Sequence, residues 1–258
     1  MNNIELRNVN VLYPQKKSFL KKSEPFIAAK NISFSVKPGE TVSLVGESGS
    51  GKTSIAKAIT LLADFTGEIF VLGKKISPNK RENLSFLRKN VQMIFQDPYS
   101  SLNPRLSAYE TIHEVLKVHD NFSTGKSDDK IKELFDMVKL PENLIHRYPH
   151  QLSGGQRQRI GIARAFAVEP KLIICDESVA ALDVRVQSQI LKLLQEIQTK
   201  KNISYLFISH DLAVVENISN NIIVLNNGEI VEKGTPDEIC YNPTEEYTKK
   251  LLSAVPYI

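Results

Sequence analysis

The stretch Gly46-Glu47-Ser48-Gly49-Ser50-Gly51-Lys52-Thr53 has the spacing G-x-x-x-x-G-K-S/T. Glycines so placed let successive backbone N–H groups turn inward and cradle phosphate oxygens. A helix beginning just behind them adds its positive end. In such a loop Lys52 is expected to reach the β- and γ-phosphates of a nucleoside triphosphate, and the Thr53 hydroxyl to ligate Mg²⁺. The spacing is not G-x-G-x-x-G, so a dinucleotide cofactor is not supported. Further on, Leu172-Ile173-Ile174-Cys175-Asp176-Glu177 is an apolar run ending in two carboxylates. A parallel strand offers its carboxyl end to the ligand. Asp176 there suits a hold on Mg²⁺, and Glu177 can orient or deprotonate an attacking water. A lone acidic strand end simply meets solvent; the loop at 46–53 supplies the phosphate that gives this one a task. Leu152-Ser153-Gly154-Gly155-Gln156 precedes a helical stretch and makes a second candidate phosphate site from Ser153, Gly154, Gly155 and Gln156. One chain with one phosphate loop should not need two.

In this order, the phosphate loop, Leu-Ser-Gly-Gly-Gln and the strand ending in Asp-Glu resemble the nucleotide-binding subunit of ATP-binding-cassette (ABC) transporters, and the resemblance covers essentially the whole chain. It implies ATP and Mg²⁺ as ligands, and further positions. Gln96, in Ile94-Phe95-Gln96-Asp97-Pro98, matches a glutamine that senses Mg²⁺ and the membrane partner. Asp183, in Ala181-Leu182-Asp183, matches a loop that crosses to a second ATPase subunit, and His210 matches a histidine contacting the γ-phosphate. Tyr13 stands where an aromatic stacks on adenine, with Phe19 and Phe26 as weaker choices. The run from Arg147 to Ala165 and the tail Asn242-Pro243-Thr244-Glu245-Glu246-Tyr247-Thr248 are similar to the peptide/nickel importer group. In that group the tail often reads His-Pro where this chain has Glu245-Glu246, and proline is common at the position of Ser178. The resemblance implies a second, non-identical ATPase subunit, two transmembrane permease subunits and an extracellular substrate-binding protein. It places the chain peripherally at the cytoplasmic face of the membrane, energising uptake of di- or oligopeptides or of nickel and metal chelates. A soluble ABC ATPase acting on nucleic acid or the ribosome is the alternative. The short stretch from Lys52 to Leu152, without heptads, and the single cassette argue against it.

These residues need elements to hold them. Alternation predicts strands at 4–12 and 31–37, the latter with Ile32, Phe34 and Val36 on one face. A short strand at 41–45, a helix at 53–62 with Leu62 on its apolar stripe and a strand at 67–73 follow. Residues 105–150 carry helical periods, with the polar loop 121–129 between two helices. From 156 helices (156–168, 184–199, 211–218) alternate with apolar strands (172–176, 203–208, 222–226), the pattern of a parallel sheet covered on both faces. Asn227-Gly228 signals a hairpin, and Thr235-Pro236-Asp237-Glu238 a capped C-terminal helix. The expected fold is an α/β P-loop NTPase core of the RecA-like kind, with an antiparallel β subdomain and a helical insertion. Its expected divisions are a core at 1–96 and 156–234, a helical subdomain at 97–155 and a helical tail at 235–258.

Composition narrows the rest. The 258 residues are 41% hydrophobic and 24% charged, which excludes wholesale disorder. Against 29 acidic side chains stand 33 basic ones, a surplus of +4 that is too small to argue for nucleic acid. No apolar run is long enough to cross a bilayer, and no signal peptide is expected from the first residues. The cysteines, Cys175 and Cys240, are too few for the iron–sulfur cluster that some members of the group carry in the tail. His113, His119, His146 and His150 show no metal-ligand spacing. The basic stretch Lys16–Lys22 reads as a solvated loop.

Overall fold

The structure, a computed structural model, describes residues 1–15, 25–77, 81–97, 99, 101–120, 124–180 and 182–253. The basic stretch at 16–22, with Phe19, and Ala181 lie outside these residues. In chain order the elements are β1 (Ile4–Tyr13), β2 (Phe26–Val36), β3 (Thr41–Val45), α1 (Lys52–Ile59), β4 (Asp64–Val71), β5 (Lys74–Ile76), α2 (Arg81–Asn90) and β6 (Val91–Ile94). They continue with α3 (Ala108–Asp120), α4 (Thr124–Met137), α5 (Gly154–Phe166), β7 (Leu172–Asp176), α6 (Val184–Lys201), β8 (Ser204–Ser209) and α7 (Leu212–Glu216). The last are β9 (Asn221–Asn226), β10 (Glu229–Gly234), α8 (Pro236–Tyr241) and α9 (Glu246–Ser253). The chain divides into two units, Met1–Arg88 with Ser204–Ile258, and Lys89–Ile203.

In the first unit β1 lies between β2 and β4, antiparallel to both, and β5 extends the sheet beyond β4. Ile4, Leu6, Val9 and Val11 of β1 are all buried. Leu6 and Val9 are three apart, so strict alternation would put them on opposite faces. The ladder slips between them, and Asn8 takes φ 49° there, an angle asparagine tolerates. Its N–H donates to Ser33 Oγ at 2.9 Å, which keeps the bulge satisfied. The other strands of this unit run in the order β10-β9-β3-β8, parallel except for β10. Every residue of β3 and β8 is buried, as strands covered on both faces must be. Val45 pairs in register with Ser209 and with Val224, so β3, β8 and β9 end side by side. The β9–β10 turn is Asn227-Gly228, both left-handed at φ 48° and 82°, which matches the twist of a two-residue hairpin. Gly228 N–H donates to Ser50 O at 3.1 Å and Gly228 O accepts from Lys30 N–H at 2.6 Å, so the turn joins the phosphate loop to β2.

In the second unit β6 and β7 form a parallel pair with Ile94 opposite Cys175. Helix α5 packs against α3, α4 and α6. Ile112 and Leu116 of α3, Ile131 and Phe135 of α4, Ile160 of α5 and Ile190 of α6 are fully buried.

Several expectations change, among them the start of β2, which lies at Phe26 and not at 31. Helix α1 stops at Ile59, where Thr60 Oγ1 donates back to Ala56 O at 2.9 Å and Leu61 turns left-handed at φ 58°. Leu62 is therefore 69% exposed and off the apolar stripe. Strand β4 starts early, at Asp64, because β1 carries its ladder as far as Leu12 opposite Asp64. It ends at Val71, where Leu72 and Gly73 turn the chain into β5. The expected loop 121–129 is helical from Thr124: the polar first turns of α4 are held by Tyr109 of α3, whose hydroxyl donates to Asp128 Oδ1 at 2.6 Å. The helix thus begins before its apolar period does.

A Cβ at position 228 would meet Ala28 O at 2.8 Å in a left-handed backbone. Gly228→Ala is expected to lose about 1–2 kcal/mol of stability, measured as a lower midpoint in chemical denaturation. An unchanged midpoint would show that the turn has no need of glycine.

Candidate functional site

Glycine 46 leaves β3 at φ 151°, and a Cβ there would stand 2.2 Å from Leu225 O of β9. Only glycine lets the loop start this close to the neighbouring strand. The tip, Glu47, Ser48 and Gly49, is exposed, whereas Ser50, Gly51 and Lys52 are buried. Lys52 curls back so that Nζ donates to Gly46 O at 2.8 Å, Glu47 O at 2.7 Å and Ser50 Oγ at 3.2 Å. No side chain caps α1 at Gly51, and a phosphate fits that role because it meets both the backbone N–H groups and the helix dipole. Thr53, half-buried, stands in the first turn. Tyr13, the last residue of β1, lies 3.4 Å through its hydroxyl from Ser54 Oγ, one residue beyond Thr53. Phe26, 56% exposed, opens β2 and lines a concavity with Ile27, Ala28 and Gly49. His210 is exposed and follows directly on β8, beside the start of the loop by strand register. Asp211, next to it, caps α7 by accepting from Ala213 N–H at 2.9 Å. The first unit thus gathers Tyr13, residues 46–53 and His210.

The second unit gathers the remaining candidates. Gln96, exposed, follows β6, and Asp176 ends the paired strand β7, so both lie at the same end of a parallel pair. Asp176 is 9% exposed. Glu177 takes φ 46°, a left-handed conformation that costs a non-glycine residue about 1–2 kcal/mol. Such strain is kept where it aims a side chain. The turn after it is held by Ala180 N–H to Glu177 O at 3.0 Å and by Gln158 of α5, whose Nε2 donates to Ser178 O at 2.6 Å. Asp183 caps α6, accepting from Val186 N–H at 3.0 Å. Ser153 caps α5 in a reciprocal box: Gln156 N–H donates to Ser153 Oγ at 3.3 Å, and Ser153 N–H to Gln156 Oε1 at 2.9 Å. A Cβ on Gly155 would come within 2.7 Å of Val186 Cγ1, and one on Gly154 within 3.7 Å of Leu182 Cδ2. The first turn of α5 therefore lies directly on the loop that carries Asp183. Burial pushes the Cys175 thiol up to about 12, so this cysteine packs and does not react.

Three features had no legible signal. Arg157 of α5 places its guanidinium 3.6 Å from the centre of the Tyr99 ring and donates from Nε to Pro149 O at 2.5 Å. Arg164 donates to Ser101 O at 2.6 Å. Together these fasten the segment after Gln96 to α5; alternating Arg and Gln in a helix indicates neither partner. The third is a hydrogen bond from Glu47 N–H to the Tyr247 hydroxyl of α9 at 3.0 Å.

Residues 29–180 match the family model described as ABC transporter, and the chain belongs to that family. It is an ATP-hydrolysing cassette with the P-loop NTPase fold. It is 46% identical over 257 residues to the oligopeptide transport ATP-binding protein OppF of Lactococcus lactis subsp. lactis, covering 99% of this chain and 81% of that one. To OppF of Escherichia coli it is 48% identical over 231 residues, covering 89% of this chain and 69% of that protein. Among solved structures, cbiO1 of Clostridium perfringens, part of the ABC transporter complex cbiONQ, superposes with TM-score 0.79 at 26% identity, covering 92% of this chain and 90% of that one. The ATP-binding cassette MJ0796, in a dimeric post-hydrolysis state bound to ADP and Pi, gives TM-score 0.78 at 30% identity, covering 90% and 98%. These relatives favour transport over the nucleic-acid alternative.

Tyr13 lies against the helix behind the phosphate loop, so Tyr13→Ala is expected to weaken ATP binding by about 1–3 kcal/mol, the range for an aromatic stacked on a base. Titration calorimetry on Tyr13→Ala and Phe26→Ala decides between them. Loss only in the Phe26 variant would move the platform to β2.

Proposed function

We propose that this chain powers uptake of short peptides as one of two facing ATPase subunits beneath separate membrane permeases, with an extracellular binding protein delivering the peptide. The peptide assignment rests on the oligopeptide transport names of the relatives; none of those named is a nickel transporter. Peripheral attachment is supported by the finding that, among the described residues, no helix is long and apolar enough to cross a membrane. Phe95 and Tyr99, 43% and 65% exposed on either side of Gln96, offer an apolar face for a permease.

The observation that carries the paired arrangement is the second helix N-terminus at Ser153. One phosphate loop holds one nucleotide, and α5 presents a separate helix N-terminus behind two glycines, this one capped by Ser153. In the proposed cycle, ATP lies on the loop at 46–53 of one chain and is closed over by residues 153–156 of the other. Lys52 leaves the loop carbonyls for the β- and γ-phosphates, His210 braces the γ-phosphate, and Glu177 orients the attacking water and draws its proton. Asp183 belongs to the loop that meets the facing chain. In this reading Thr53, Asp176 and Gln96 would each offer Mg²⁺ an oxygen, the donor type that suits it. When bound, Mg²⁺ would neutralise the phosphate charge that builds up in the transition state.

Replacing Glu177 by glutamine keeps shape and removes charge. Glu177→Gln is expected to bind ATP as tightly as the parent while turnover falls about 10²–10⁴-fold; phosphate release at the parent rate would remove Glu177 from its role.

Activity per molecule is expected to rise with concentration, and further when the partner ATPase is added. Ser153→Arg is expected to abolish that rise with binding to its own loop intact. Because Ser153 also caps α5, Ser153→Ala is the necessary comparison: it loses the same cap, worth about 0.5–2 kcal/mol, without blocking the facing site. If the arginine variant loses no more activity than the alanine variant, or if activity is independent of concentration, the paired site is wrong.

A further inference from the structure

The tail motif at 242–248 reaches the phosphate loop. Glu47 N–H donates to the Tyr247 hydroxyl at 3.0 Å, across 200 residues of chain. That N–H belongs to the same peptide unit as Gly46 C=O. The described chain has no cis peptide, and in a trans unit the C=O and N–H point in opposite directions. Gly46 O accepts from Lys52 Nζ at 2.8 Å. One peptide plane is thus gripped at both edges, by the Lys52 ammonium within the loop and by the tail hydroxyl outside it.

The grip on the tail side is itself anchored. The Glu232 carboxylate of β10 accepts from Thr244 N–H at 2.7 Å, Thr244 Oγ1 at 2.7 Å and Glu245 N–H at 3.4 Å. Burial alone would push the Glu232 carboxyl up; the nearby Thr248 hydroxyl and the hydrogen bonds from Thr244 and Glu245 outweigh it and hold the carboxyl below its ordinary range. At position 245 those bonds need only the backbone, so they place no demand on the side chain there. Thr248 is fully buried and Tyr247 half-buried, so α9 sits against the body of its own unit.

We propose that Tyr247 is a positioning residue for nucleotide binding: its hydroxyl holds the Gly46–Glu47 peptide in orientation when Lys52 departs to the phosphates. The proposal rests on the reading of residues 46–53 as the ATP site. Without the hydroxyl, the peptide is restrained on the Lys52 side alone. When the lysine leaves, the first turn of the loop loses its orientation, and that loss opposes binding. The hydroxyl lies on the edge of the plane away from Lys52, so it supports the loop without occupying the phosphate side.

The test is Tyr247→Phe in the full chain, which keeps the ring and removes the oxygen. The ATP dissociation constant and KM are expected to rise about two- to tenfold, the equivalent of one ordinary hydrogen bond, with kcat at saturating ATP and the thermal midpoint near the parent values. Tyr241→Phe is the matched control, since that tail tyrosine bonds Glu216 of α7 and not the loop; its ATP affinity is expected to equal the parent's. Parent-like affinity in Tyr247→Phe, or an equal loss in both variants, overturns the proposal. Lys52→Ala separates the two levels. If it binds ATP as well as the parent does, the loop reading has failed; if it alone loses binding, only the role of Tyr247 has.

Discussion

A buried ammonium must never be left alone. Lys52 is 4% exposed, and two loop carbonyls and the Ser50 hydroxyl help to make its charge tolerable. Those oxygens converge because the chain leaves β3 through a backbone only glycine can take, pressed against β9. The register of β3 with β8 and β9 therefore sets the position of the charge. Phosphate oxygens can replace carbonyl oxygens around Nζ with little change in its surroundings. In the proposed ATP-bound state the lysine's charge is met by phosphate oxygens in place of those carbonyls.

The second unit meets a different demand, which is rigidity around a strained residue. Glu177 sits in a left-handed conformation that the adjoining backbone must hold. Gln158 holds it by donating to Ser178 O, and Gln158 belongs to the same helix that Ser153 caps. The first turn of that helix is pressed onto the loop of Asp183 through Gly155 and Val186. The segment after Gln96 is fastened to the same helix by Arg157 and Arg164. Helix α5 is thus a common mount for three groups far apart in sequence, and a shift of this helix moves all of them together.

How much of this was legible depends on range. The loop at 46–53 and the carboxylates ending β7 are local patterns and stand in a strand–loop–helix setting, and Ser153 stands, as its glycines suggest, at the start of a helix. The Asn227-Gly228 hairpin and the Thr235 capping box were legible for the same reason, since turn and cap chemistry is set by a few neighbours. Strands β5 and β6, of three and four residues, are too short to show a period and exist through their pairing. Helix α4 starts on polar residues that Tyr109 secures, so apolar spacing marks its beginning too late. The bond from Glu47 to Tyr247 and the ring beneath Arg157 are tertiary contacts, which leave no trace in neighbouring residues.

The order of the units along the chain bears on how the protein is made. Residues 89–203 form a continuous segment, so everything that unit needs has been synthesised before β8 is. The other unit is interrupted by that segment: β3 emerges early but pairs only with β8 and β9, which come after it. Domains fold as units during synthesis, and pairing over long separations is slow. The inner segment is therefore the first to fold on a nascent chain. The strand that leads into the phosphate loop waits with an unpaired edge, and it is in this interval that the polypeptide is most exposed to aggregation and to capture by chaperones.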